Sequence, residues 1–332
     1  NHIQGFKDNI VIDPDGSLTD VKIRRNVIVD AWNADGGRAQ GIYGGKNADG
    51  TLIEENVLDH NGWKEGVKGA GATMFNHSIY FNEGSSGLVV RGNIIARSSL
   101  FGVMSRGGGI VENNLIVRSP TAIQVGYGNT TIRNNVILES NDLPTQKLGK
   151  AIEIYSLSKA TIEKNLMAHD VSAGTYGIAV NVRDGVGGGT LKSNIVYDWR
   201  SGFKNAGKLS QSGNQVSLKG QNNYSYVDPN RTLGKYNASL GRTNSLVSFL
   251  SYARQQAKGA WNVKYTSNTV GNYIRAGFAL KSSKAATVKP SSAAPVRFSA
   301  ISVMTSAKPT TASASVFGDE RIIVDVSALV GI

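Results

Sequence analysis

The chain has 332 residues, 36 Lys and Arg against 24 Asp and Glu, a net charge of +12 and no cysteine. The missing cysteine excludes disulfides, thiol catalysis and thiolate metal sites. No Lys/Arg-rich run, zinc-finger spacing or nucleic-acid module is present, so the basic surface points to an acidic polysaccharide rather than to nucleic acid.

Residues 1–12, NHIQGFKDNIVI, already read as repeat sequence, and with Asn1 in place of a methionine the chain reads as processed or cut from something longer. No apolar stretch approaches the length of a membrane span, and no signal peptide is visible. Between residues 24 and 196 one phrase then occurs seven times: IRRNVIV, LIEENVL, VVRGNII, IVENNLI, TIRNNVI, TIEKNLM and TLKSNIV, centred on Asn26, Asn56, Asn93, Asn114, Asn135, Asn165 and Asn194. The asparagines lie 30, 37, 21, 21, 30 and 29 residues apart, which suits coils of a common minimum length with insertions at their turns. The fold class expected is all-β, a right-handed parallel β-helix over residues 1–229. Asparagine tolerates left-handed backbone angles at a tight turn, and its amide can bond the same amide one coil above and below. The aliphatics beside it are expected to point inward and form columns along the axis.

A second strand recurs between these phrases: GIYGG at 41–45, SIYFN at 78–82, GVMSR at 102–106, AIQVG at 122–126, AIEIY at 151–155, GIAVN at 177–181 and GFKNA at 202–206. Alternation turns Ile42, Ile79, Val103, Ile123, Ile152, Ile178 and Phe203 inward. From about residue 226 the pattern changes. Leu246, Val247, Phe249, Leu250 and Ala253 recur at helical spacing behind Asn244 and Ser245 as N-cap candidates, and Val270, Tyr273 and Ile274 suggest a second short helix. Residues 230–280 are therefore expected to form a C-terminal helical cap over the open end of the solenoid. Residues 281–315 are rich in Ser, Ala, Thr, Lys and Pro and read as a flexible linker. The final DERIIVDVSALVGI turns apolar and could be a strand available for self-association.

Aligning the second strands places three columns outward, with coils about 4.8 Å apart. The first is Gln40, His77, Phe101, Thr121, Lys150, Tyr176 and Ser201. The second is Tyr43, Tyr80, Met104, Gln124, Glu153, Ala179 and Lys204, and the third Gly45, Asn82, Arg106, Gly126, Tyr155 and Asn181. His77, Tyr80, Asn82 and Arg106 are the densest group. Removing the proton beside a uronate carboxylate requires that carboxylate to be neutralised, which Arg106 and Asn82 can do. His77 can then take the proton, with Tyr80 as acid or sharing the base role. Gln124, Lys150, Glu153, Tyr155 and Tyr176 are candidate substrate contacts. So are His60, Trp63 and Lys64 in LDHNGWKEG, where Trp63 could stack on a sugar face or close its own loop. Another outward column, Asp30, His60, Arg97, Arg118, Glu139, His169 and Asp198, mixes signs and reads as a solvated face. No cofactor is expected, although Asp13, Asp15 and Ser17 in DPDGS and Asn47 and Asp49 in KNADG have the oxygen-rich look of calcium loops, or of ordinary turns.

The repeats NVIV, NVLD, NIIA, NLIV, NVIL, NLMA and NIVY make residues 10–225 resemble the right-handed parallel β-helix proteins of the pectate-lyase-like superfamily. That resemblance implies polysaccharide lyases, epimerases or glycosidases, mostly exported, and so a secreted or cell-surface location. DHNGW, FNHSIYF and SRGGGIVENN look like features of secreted bacterial β-helix proteins but assign no role. No DPHD motif of the alginate epimerases is present, nor the clustered aspartates of polygalacturonase-type hydrolases, whose chemistry needs paired carboxylates. The expectation is a polysaccharide lyase acting on a uronate-containing glycan by β-elimination. The alternatives are a noncatalytic surface or matrix protein that assembles or binds glycan, and a glycosidase using Glu153 and Asp184.

Overall fold

The asparagine phrases stack into one continuous ladder. The computed structural model of the chain describes residues 1–157, 159–173 and 176–281. Asn26 Nδ2 donates to Asn56 Oδ1 at 3.1 Å, Asn56 to Asn93 at 3.0 Å, and the series runs on through Asn114, Asn135, Asn165 and Asn194. Asn1 precedes it and Asn214 ends it, both through 3.1 Å bonds. Asn214 escapes the sequence pattern because a polar Gln215 follows it. From Asn56 onward each side-chain oxygen also accepts the backbone N–H of the preceding ladder asparagine, as Asn135 Oδ1 does from Asn114 N at 3.1 Å. These interior amides are nearly fully buried, so the ladder satisfies polar groups that would otherwise be costly.

The left-handed residue is not the ladder asparagine but its predecessor: Arg25, Glu55, Gly92, Asn113, Asn134, Lys164 and Ser193 all have φ between 53° and 67°. The asparagine must aim its side chain into the coil. The chain reversal therefore falls on a neighbour whose side chain faces away from the interior, and hydrogen bonding offsets a cost of about 1–2 kcal/mol per non-glycine residue.

Three parallel sheets result, of nine, eight and eight strands, in which every strand pairs with its counterpart one coil away. This is a parallel β-helix. The ladder sheet includes Val27–Val29, Val57–Asp59, Ile94–Ala96 and Leu115–Val117. Its middle residues, Ile28, Leu58, Ile95 and Ile116, point into the solenoid core, whereas Val27, Val57, Ile94 and Leu115 belong to a second core on the outer side. The expectation that the aliphatics after the asparagine all face inward therefore holds for only one of each pair.

That outer core explains the C-terminal helices: α1 (Leu233–Ser239), α2 (Leu246–Ala253) and α3 (Ser267–Gly277). Ser245 caps α2 through its side chain, as its sequence position suggests, and Leu246, Phe249, Leu250 and Ala253 are buried while Val247 is exposed. The helices cover the flank of the ladder sheet rather than the end of the solenoid. Ser267 Oγ donates to Asn113 O at 2.9 Å, Arg275 donates to Asn135 O at 2.9 Å, and Arg254 reaches Asp30 and Asp59. An apolar stripe running along many coils presents more surface to bury than one open end, at about 1.5–3 kcal/mol for each large aliphatic side chain covered. The final rung protects itself with polar residues, SGFK, LSQS and QVSL. Among the described residues no helix is long and apolar enough to cross a membrane. The linker and terminal strand expected beyond residue 281 lie outside the described residues.

On the third sheet the residue two places before each ladder asparagine alternates in sign along the register: Arg24, Glu54, Arg91, Glu112, Arg133, Glu163 and Lys192. Arg24 and Arg91 pair with Glu54 at 3.0 and 2.6 Å, and Arg133 with Glu112 at 2.6 Å. This face neutralises itself, and the ladder face is covered. The remaining sheet is left to present unmatched chemistry.

Candidate functional site

That sheet runs through Asp8–Ile12, Gln40–Gly44, His77–Phe81, Phe101–Ser105, Thr121–Gly126, Lys150–Tyr155, Ile178–Val182 and Ser201–Lys204. The core aliphatics Ile42, Ile79, Val103, Ile123 and Ile152 align as expected, but the next partner is Val180 rather than Ile178. The expected register there is two residues off. Ile178 consequently occupies the first outward column in place of Tyr176, and Asn181 stands in the second column beside Glu153 in place of Ala179. Arg183 follows Tyr155 in the third, its N–H bonded to Ile154 O at 2.8 Å. The signal was present: AIEIY and AVNVR share a small residue followed by alternating aliphatics, a closer match than AIEIY and GIAVN.

Over the first coils of this face lies a groove of about 550 Å³, and a second space of about 340 Å³ adjoins it across Met74, Leu100, Phe101 and Gln124. His77, Tyr80 and Arg106 all line the larger one. The Tyr43 and Tyr80 rings stack at 5.7 Å and 3° apart, and His77 stacks on Tyr80 at 5.6 Å and packs at a tilt of 40° against Phe101 at 4.8 Å. The imidazole is 4% exposed and its Nδ1 has no hydrogen-bond partner among the described residues. Burial pushes its pKa down to about 3, with the nearby Arg38 charge adding to the shift, so His77 is neutral at physiological pH. It is a much weaker base than the sequence expectation gives it.

Arg106 sits among phenols. The adjacent Tyr80 hydroxyl is the largest influence holding its pKa above the ordinary arginine value, with Tyr155 and Tyr127 contributing in the same direction. Its guanidinium lies 5.9 Å from the Tyr127 ring centre, and among the described residues its ion-pair partner is the half-exposed Glu83 at 2.8 Å. Gly126 makes this arrangement possible: a Cβ there would stand 2.2 Å from Tyr155 Cζ, so only glycine lets that ring lie back across the column. Burial raises the Tyr155 pKa, against the opposing influence of Arg106. Asn82 lies on the same edge, but its Oδ1 accepts the Gly84 N–H at 3.2 Å in its own turn, and it does not line the groove.

Glu153 is 4% exposed and fully engaged. Lys150 Nζ stands 2.7 Å from Oε1, Asn181 Nδ2 donates to the same oxygen at 2.9 Å, and Gln124 donates to Oε2. Burial opposes its charge, yet these partners together hold its pKa below the usual glutamate range. Such a carboxylate orders Gln124, Lys150 and Asn181 along the second space. Tyr176 lies outside the strand, exposed, with Lys150 Nζ 5.9 Å from its ring centre.

The DHNGW residues stand apart from the groove lining. His60 Nδ1 is 2.9 Å from Asp30 and its Nε2 is 2.8 Å from Glu65; Trp63 Nε1 donates to Arg97 O at 2.9 Å; and Lys64 packs over Trp32 at 4.5 Å. These contacts close a loop at the corner, where Asp30, His60, Arg97, Arg118, Glu139, His169 and Asp198 all adopt positive φ. The column is partly paired and partly covered by the helices rather than simply solvated. Of the calcium-like residues, Asp49 Oδ1 accepts both the N–H and the hydroxyl of Ser86, and Asp13 folds over Gly45. Among the described residues no three His, Asp or Glu side chains cluster as metal ligands.

Sequence reasoning missed Arg38, Met74, Phe75 and Tyr127 as parts of this site, because they lie in turns and loops outside the strand repeat. No protein-family model matches the chain, and comparisons with curated proteins and with solved structures find no significant match.

Proposed function

We propose that this groove binds an extended anionic glycan and that the chain is a polysaccharide lyase acting on uronate residues by β-elimination. The observation that carries this reading is the placement of Arg106, without a buried carboxylate partner among the described residues, beside the Tyr80 hydroxyl on a face lined by parallel rings. A sugar lying on Tyr43 and Tyr80 would bring its carboxylate to Arg106, which neutralises it and stabilises the negative charge that develops when the adjacent carbon loses its proton. Tyr80 takes that proton and returns one to the departing glycosidic oxygen. The base is the Tyr80 phenolate, stabilised by the guanidinium beside it; taking the proton makes it the neutral phenol, and passing that proton to the leaving oxygen regenerates the phenolate. His77, neutral and buried, supports the Tyr80 ring from behind. This departs from the sequence expectation, in which His77 is the base.

A glycosidase reading gains nothing from Glu153, whose oxygens are already taken. Secretion is part of the proposal, since polymeric glycans of this kind lie outside cells. The test is incubation with alginate, pectate and glycosaminoglycans while following ultraviolet absorbance of the unsaturated product. Rising absorbance with one polymer, lost in Arg106→Gln and Tyr80→Phe, is the expected result. Binding without absorbance or new reducing ends would instead identify a noncatalytic glycan-holding protein, and new reducing ends without absorbance a hydrolase.

A further inference from the structure

The part of the groove beyond Tyr80 carries, beside the polar row of Gln124, Lys150, Glu153 and Asn181, an apolar wall that bare sugar does not need. Sugars place flat C–H faces on flat rings, as the Tyr43 and Tyr80 pair provides, and otherwise offer hydroxyls. The apolar wall is Met74, Leu100, Phe101, Met104 and Leu148, of which Leu100, Phe101, Met104 and Leu148 belong to one apolar cluster separate from the solenoid core. Met74 is 43% exposed at its edge. Thioether and branched aliphatic walls match small alkyl groups, and methionine adapts to irregular ones. A strip of this kind beside cations calls for a ligand with both an anionic and an apolar substituent.

The charges narrow the choice. Arg106 stands on one side of the strip, and Arg183, three coils or about 14 Å further along the axis, lies over the Tyr155 ring at 5.7 Å with no ion-pair partner among the described residues. Two such cations favour carboxylates that remain charged, so the apolar substituent belongs on a hydroxyl rather than on the acid. A methyl ester would remove the charge that Arg106 and Arg183 are placed to meet. Resting on the glycan-binding reading above, we infer that the strip is an acyl subsite and that the preferred ligand is an O-acetylated polyuronate.

The experiment is titration calorimetry of the whole chain with O-acetylated polymannuronate, the same polymer after mild alkaline deacetylation, and a methyl-esterified polyuronate of matched length. Burial of each acetyl methyl should strengthen binding about fourfold, so two acetyl groups in the strip give roughly fifteenfold. Met74→Gln and Leu148→Asn, both at the partly exposed rim, should erase the preference, bringing the acetylated and deacetylated polymers to equal affinity. Equal or weaker binding of the acetylated polymer, or tighter binding of the methyl ester, overturns the inference. Preferential binding of the acetylated polymer with no unsaturated product would remove the lyase reading and keep the acyl subsite. Failure to bind any of the three would remove both.

Discussion

Arg254→Met tests whether the helices are fastened to the solenoid by charge as well as by apolar contact. Arg254 Nε meets Asp59 Oδ2 at 2.5 Å, and its two terminal nitrogens meet the two Asp30 oxygens at 2.9 Å each. Asp59 is completely buried, while Asp30 is one-third exposed. Removing one partner of a buried pair costs about 3–5 kcal/mol when the other charge is stranded. Asp59 keeps Arg97, 2.6 Å away, and Asp30 keeps His60, so the low end, about 3 kcal/mol, is expected. Guanidinium denaturation at pH 7, followed by circular dichroism, measures it. The pH dependence supplies a second signature. Burial opposes the Asp30 charge, but His60 and Arg254 hold its pKa well below the ordinary aspartate value. A depressed folded-state pKa contributes stability that is present above the unfolded value near 3.8 and lost as pH falls through the folded one. The wild type and Arg254→Met should therefore differ fully at pH 5–7 and converge below about pH 4. A difference under about 1 kcal/mol at pH 7, or one that persists unchanged at pH 3, would refute the latch.

Three further outcomes are expected. Asn114→Ala removes a side chain that accepts from Asn93 N and Nδ2 and donates to Val90 O and Asn135 Oδ1, leaving buried groups unpaired at about 1–3 kcal/mol each; urea unfolding should show a loss of roughly 4 kcal/mol, against a smaller one for the half-buried Asn214→Ala. Tyr80→Phe and Arg106→Gln should each lower lyase kcat at least about 10²-fold, whereas His77→Phe, which keeps a ring stacked on Tyr80 and packed against Phe101, should stay within about threefold. Lys150→Met strips Glu153 of its cation while burial remains, so the carboxyl should titrate higher in carbon-detected NMR. An unchanged midpoint there would mean that Gln124 and Asn181 alone hold it.

The periodic asparagines made the coils legible because each is required by the one above it. The helices were legible as helices because Ser245 and the Leu246 to Ala253 spacing are local signals. Their position was not: it depends on Val27, Val57, Ile94 and Leu115 facing outward, and a three-residue strand with aliphatics on both faces does not reveal which face is the interior. The outward columns followed correctly as far as strand Lys150–Tyr155 and slipped at Ile178, where Ile178 and Val180 each follow a small residue and only the alternation continuing through Val182 favours the observed register. Loop residues such as Arg38 and Met74 carry no periodicity, so nothing in the string placed them beside Tyr80.

The three faces of the solenoid also bear on where function can reside. A column that alternates Arg and Glu on successive coils has its charges matched by its own neighbours, and a ligand would have to displace those pairs to bind. The ladder face lies under helices and is held there by Arg254, Arg275 and Ser267. On the groove face the corresponding positions are Tyr80, Met104 and Gln124 in one column and Asn82, Arg106 and Gly126 in the next, which do not neutralise one another. The net charge of +12 is thus accompanied by a local asymmetry: the third sheet spends its cations on its own carboxylates, while Arg106 and Arg183 stand over phenol rings that accept a cation without cancelling it. Arg106 shares its charge only with the half-exposed Glu83 and Arg183 has no ion-pair partner among the described residues, so an anionic polymer laid along the axis would meet a cation at each end of the apolar strip.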